Sequence, residues 1–206
     1  MRTLASALAL VAALGVAVPA SAYEAGDWLF RAGSSLVDPK SNNGSFGTDL
    51  EIKVDDQLGV TYNLTYMYSA NLGIEVLAAL PYEHDIAVGD LGTVASVKHL
   101  PPTVSLQYHF LPQGVFQPYA GLGLNYTLFF SEKTKGALAG SDIKVDSSSL
   151  GLAAQLGFDV MLNDSWFVNV DVRWIGIETE ATVDNALKAD VKIDPMVYGV
   201  HLGYRF

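Results

Sequence analysis

From Leu58 onward the chain is written in a period of two. In Leu58–Tyr68 the even positions are Leu58, Val60, Tyr62, Leu64, Tyr66 and Tyr68, and the odd ones are Gly59, Thr61, Asn63, Thr65 and Met67. Leu150–Leu162 sets Leu150, Leu152, Leu156, Phe158 and Val160 against Gly151, Gln155, Gly157 and Asp159. Trp166–Trp174 and Pro118–Phe130 repeat the pattern. Successive side chains of an extended strand leave from opposite faces, so this spacing dictates strands with one oily face and one small or polar face. After residue 22 no apolar run is long enough for a transmembrane helix.

About eight such segments are predicted, near 26–37, 54–68, 72–88, 95–111, 117–132, 147–162, 165–181 and 190–206. Their connections alternate in length. Residues 69–71, 111–116 and 163–165 are tight, whereas 38–53, 133–146 and 182–189 are longer and rich in Asp, Lys, Gly, Ser and Asn. Short turns at one rim and longer loops at the other are the habit of small transmembrane barrels. The first 22 residues read as a cleaved secretory leader, leaving 23–206 as one domain. Arg2 is the leader's sole charge, Leu4–Val18 is apolar, and Ala20-Ser21-Ala22 forms an A-x-A site before Tyr23.

The oily face decides the environment. A soluble barrel would hide it and wet its other face with Lys and Glu. Here the opposite face holds chiefly Gly, Thr, Asn and Gln. Aromatics bracket the aliphatic bands, with Trp28, Tyr68, Phe110, Trp166 and Phe206 near the short-turn rim and Tyr82, Tyr126 and Trp174 toward the other. Two aromatic belts fit two lipid–water interfaces. The expected fold is therefore all-β, an eight-stranded antiparallel transmembrane β-barrel of a Gram-negative outer membrane, with short periplasmic turns and longer extracellular loops. Outer-membrane lipids and lipopolysaccharide would surround it. Tyr198, Val200, Leu202, Tyr204 and Phe206 alternate to the last residue, the terminal-strand pattern that the barrel-assembly machinery reads.

The chain has no cysteine, only four histidines, and a net charge of −10. Thiolate chemistry is excluded, and no basic patch exists to neutralise nucleic-acid phosphates. No metal site or cofactor is expected. No G-x-S-x-G elbow is present. Glu83-His84-Asp85 puts His84 opposite its neighbours on a strand and reads as a polar rim, and Gly121-x-Gly123 lacks the third glycine of a dinucleotide site. No catalytic residue is assigned.

Several strings together resemble the outer-membrane protein W family, which includes the AlkL-type alkane-uptake proteins. They are GDWLFRAG (Gly26–Gly33), QLGVTYNLTYMYSANLGIEVLAALPYEHDI (Gln57–Ile86), VKHLPPTVSLQYHF (Val97–Phe110), FQPYAGLGLNYTLFF (Phe116–Phe130), WFVNVDVRWIGIET (Trp166–Thr179) and DPMVYGVHLGYRF (Asp194–Phe206). The resemblance implies a narrow, largely apolar passage that carries small hydrophobic molecules across the outer membrane and releases them sideways into the bilayer. A structural or surface-interaction barrel without transport is the alternative.

With odd positions facing the bore, Arg31, Glu75, His109, Gln155, Asp159, Asp171, Arg173 and Arg205 point inward. Buried charges must pair, so these residues predict a polar plug near the short-turn half, with the three arginines neutralised by Glu75, Asp159 and Asp171. Met67, Leu77, Phe129, Ile175 and Ile177 are expected to line an apolar funnel nearer the long loops. Solute entering such a funnel must leave through the wall. Pro81, Pro101 and Pro102 lack the N–H that a closed wall demands of every residue, which marks a candidate seam between the third and fourth strands.

Overall fold

The computed structural model describes residues 22–46, 50–184 and 187–206. The expected leader lies outside them, apart from Ala22. In chain order the strands are β1 (Trp28–Asp38), β2 (Ser45–Phe46), β3 (Leu50–Val54), β4 (Gln57–Met67), β5 (Leu72–Ala79), β6 (Tyr82–Val88), β7 (Thr93–Leu100) and β8 (Thr103–His109). There follow β9 (Phe116–Thr134), β10 (Ile143–Val145), β11 (Ser148–Met161), β12 (Trp166–Ile175), β13 (Glu178–Val183), β14 (Leu187–Lys192) and β15 (Met196–Arg205).

Eight of them, β1, β4, β5, β8, β9, β11, β12 and β15, form a closed antiparallel wall, with β15 returning to β1 over Leu29↔Arg205 to Asp38↔Met196. Closure pairs every edge, the condition for backbone to stand in lipid. The side-chain pattern then divides as the alternation requires. Leu58, Leu122 and Leu150 are each more than 70% exposed on the outside (71%, 73% and 73%), while Arg31, Thr65, Glu75 and Gln107 are fully buried inside. A wall that is oily without and polar within is stable only against acyl chains. Trp28, Tyr68, Phe110, Trp166, Phe206, Tyr126 and Trp174 all face outward.

The expected third and fourth strands are each broken in two at a proline. β5 pairs with β8 down from Leu77↔Thr103, and β6 pairs with β7 up from Tyr82↔His99. Between those pairs lie four residues on one strand, 78–81, against three on the other, 100–102, a bulge. A one-residue slip swaps faces. Leu80 keeps the outward parity of Ile74 and Val76, whereas Tyr82, expected in the outer belt, is turned into the bore and buried. The β6–β7 extension also has a different outer surface. Glu83 meets Lys98 and Asp85 meets Lys135 there, so this part stands clear of the hydrocarbon.

The longer connections are not open loops. β10, β13 and β14 build a small sheet of their own, and β2 and β3 extend β6 and β7.

Candidate functional site: the bore and its side wall

The bore is stratified. At the short-turn end Tyr23, Leu29, Met67, Met161 and Phe167 form an apolar floor. Met67 was expected near the long loops. β4 runs toward the short-turn rim, so its last residue lies at the floor instead.

Above the floor is a charged layer. Asp159 accepts from Arg31 Nη2 at 2.7 Å and Nε at 3.2 Å, from the Tyr23 hydroxyl at 2.8 Å and from Asn169 at 2.8 Å. Glu75 accepts from Arg173 Nη1 at 2.6 Å and from Gln107 at 2.8 Å, with Arg31 Nη1 at 3.6 Å. Arg173 also donates to Asp171 at 2.9 Å. His201 bridges Thr61 at 2.8 Å and Asn169 at 3.0 Å. The Arg31 guanidinium lies 5.4 Å from the Tyr119 ring centre and 5.3 Å from that of Phe167. These groups cross-link β1, β4, β5, β8, β11, β12 and β15 through the axis.

Six of the eight residues expected to fill the polar layer are thus joined or adjacent, His109 touching Gln107 at 3.3 Å. Gln155 is buried over Gly121, whose missing Cβ makes room for it, but neither amide atom has a partner. Arg205 is a correction. It sits at the rim, donating to the Ala22 carbonyl at 2.6 Å, with Asp27 at 3.5 Å. As the strand's last paired residue it lies below the charged layer, so two arginines, not three, serve three carboxylates. Tyr23, Thr65, Gln107, Tyr119, Asn169 and His201 were not anticipated. All stand at odd positions on the bore face, and parity alone would have found those on the strands.

Toward the far rim the lining turns apolar. Leu77, Phe129, Ile175 and Ile177 are buried in one cluster with Val37, Ile52, Tyr82, Val97 and Val197. This half was expected to be hollow. It is instead packed, because the long connections fold in as strands. A cavity of about 30 Å³ remains, between Val54, His84, His99, Phe129, Val145 and Val191 among others.

A strap from the first connection closes the top. Buried Asn43 donates to the Lys192 carbonyl at 2.9 Å and accepts from the Val54 N–H at 3.0 Å, and Lys40 pairs with Asp194 at 2.9 Å. Gly44 has φ +128°, and a Cβ there would strike the Asp190 carbonyl oxygen. Gly44→Ala is expected to weaken the strap by about 1–3 kcal/mol. Limited proteolysis of the folded barrel should then cut within residues 38–54 faster, with no change elsewhere.

Two imidazoles stand beside the cavity. His84 Nδ1 donates to the Asp55 carbonyl at 2.6 Å, and the two Nε2 atoms of His84 and His99 lie 3.2 Å apart. Burial lowers His84 and pushes His99 down to about 3, so both are neutral at ordinary pH.

The prolines stand where the wall is interrupted. No ladder pairs residues 78–81 with 100–102. In a strand the N–H and C=O of one residue point the same way, and neighbours point oppositely. Leu80 N–H bonds Val60 of β4, so Pro81 faces the interruption. The Pro102 carbonyl accepts from Tyr126 of β9, so Pro102 faces away from it and Pro101 toward it. One residue without an N–H thus borders the break on each strand.

A family model described as the OmpW family matches residues 24–206. Outer membrane protein W of Vibrio cholerae is 45% identical, over 97% of this chain and 97% of its own length. The crystal structure of the outer membrane protein OprG from Pseudomonas aeruginosa superposes with a TM-score of 0.82 at 35% identity, covering 90% of this chain and 98% of that one. The solid-state NMR structure of outer membrane protein AlkL in DMPC lipid bilayers gives 0.66 at 26% identity, covering 93% and 95%.

Proposed function

Given that the chain belongs to the OmpW family, we propose that it is an outer-membrane channel for uptake of small hydrophobic molecules, which enter the apolar outer half of the bore and leave through the side wall at Pro81 and Pro101. The chain is an outer-membrane β-barrel, and its family includes AlkL. The observation that carries the finer reading is the wall break above a closed polar layer. A solute on the axis meets Arg31, Glu75, Asp159, Asp171 and Arg173 locked together. An apolar molecule cannot replace those contacts, and parting them would leave buried charge unpaired. The break offers a cheaper route, since Leu80 and Val104 beside it are already lipid-facing.

Closure at rest is part of the reading. The apolar half is filled and strapped, so a solute must part hydrophobic contacts, which reform behind it. This suits oily solutes and rejects hydrated ones. Reconstituted into proteoliposomes, the barrel is expected to speed entry of alkanes or alkylbenzenes delivered from a carrier, while sugars and ions enter no faster than through empty liposomes. Equal acceleration of sugars would mean an axial water path and would overturn the side-exit route.

A further inference from the structure

We propose that Tyr82 is the inner leaf of the side exit and that, with His99, it favours apolar solutes bearing one hydroxyl, phenols being the class. This deepens the channel reading and rests on it.

Tyr82 directly follows Pro81, and the bulge turns its ring inward across the base of the break. The ring lies on Gly59 of β4, where any Cβ would collide with it. Its other neighbours are aromatic. His99 stands edge-on with ring centres 5.7 Å apart, His84 is at 6.3 Å, and Phe129 is 6.1 Å from His99. Four rings therefore make a slot just above the two prolines.

Two polar atoms in this slot are buried without a partner, the Tyr82 hydroxyl and His99 Nδ1. Their hydrogen-bonding sense follows from the neighbours. His84 must donate from Nδ1 to the Asp55 carbonyl, so its Nε2 accepts. The 3.2 Å contact then places the proton on His99 Nε2 and leaves His99 Nδ1 a bare acceptor. The neighbouring rings of His99 and Tyr82 thus carry one acceptor and one hydroxyl. A phenol O–H donates to the first and accepts from the second, while its ring joins the aromatic stack. An alkylbenzene of the same shape leaves both atoms unsatisfied, and sites built around hydrogen bonds discriminate strongly against analogues that lack them. The resting cavity of about 30 Å³, which His84, His99 and Phe129 line and Tyr82 does not, has room for one water-sized group. The ring of a solute therefore enters only as Tyr82 swings off Gly59, which makes the residue gate and selector at once.

The test compares p-cresol with p-xylene, which differ by hydroxyl against methyl. Barrel-dependent initial uptake is measured in cells with and without the protein, with folding checked by heat-modifiable gel migration. The expected rate ratio is about fivefold in favour of p-cresol, the worth of one net hydrogen bond. Tyr82→Phe, which keeps the ring, should bring the ratio near unity, and His99→Leu should lower it as well. Equal uptake of the two solutes by the unmodified barrel, or a ratio that survives both substitutions, would overturn the selector and leave the apolar channel standing. Absence of barrel-dependent uptake of either would overturn both readings.

Discussion

Replacing Asp159 by alanine is expected to cost the barrel about 3–5 kcal/mol of unfolding free energy, the usual result of stripping one partner from a buried ion pair. Asp159 takes Nε and Nη2 of Arg31 and also holds Tyr23 and Asn169. Without it, the fully buried Arg31 guanidinium keeps Thr65 at 2.9 Å and a share of Glu75 at 3.6 Å, and Glu75 already serves Arg173 and Gln107. The cost is that of an uncompensated charge, not the net worth of the pair. Arg31→Met together with Asp159→Leu should therefore recover most of the loss, because apolar residues of similar size remove the charge as well as its partner. Glu178→Ala, which breaks an exposed pair with Lys192, should change stability by less than about 1 kcal/mol. Equilibrium denaturant unfolding in lipid vesicles, followed by tryptophan fluorescence, distinguishes the three. Equal losses for Asp159→Ala and the double variant would show that shape, not charge, holds the layer.

The alternation that reveals the wall also reveals much of the layer, for the same reason. Closing eight strands fixes which parity faces in, so Arg31, Glu75, Asp159, Asp171 and Arg173 could be placed together from their numbers alone. What parity omits is height along the axis. Met67 and Arg205 have the right parity but stand at strand ends, the first in the floor and the second at the rim. Height depends on strand direction and register, which the period does not carry. Neutral partners such as Gln107, Asn169 and His201 share that parity, but nothing in the period sets them apart from the other odd positions. Tyr82 failed differently. Its parity is that of Leu80, and only the four-against-three bulge at Pro81 reverses it. The prolines were legible as missing donors, but a missing N–H does not announce the extra residue beside it. The packed outer half was unreadable for a further reason. Its short strands pair at a distance, β3 with β6 and β10 with β13, and local patterning holds little information about such contacts.

That geometry separates three prolines that look alike in sequence. Pro81→Val combined with Pro101→Val should slow barrel-dependent uptake of an alkane by up to about thirtyfold, because each change returns a donor to the break and two net hydrogen bonds stabilise the closed wall by about 2 kcal/mol. Either single change should give about fivefold. Pro102→Val should do little, since that residue turns toward Tyr126 of β9 and away from the opening. Valine suits a strand, so the variants should fold at least as well as the parent, and unfolding measurements would verify this. Protection from hydrogen exchange at the amides introduced at positions 81 and 101 of the double variant would tie the slowed uptake to a sealed ladder. If Pro102→Val proves as damaging as Pro101→Val, the strand does not alternate through the pair and the opening lies on the β9 side. If none of the three slows uptake, the solute leaves the bore elsewhere, and Pro81 and Pro101 only shape the bend that turns Tyr82 inward.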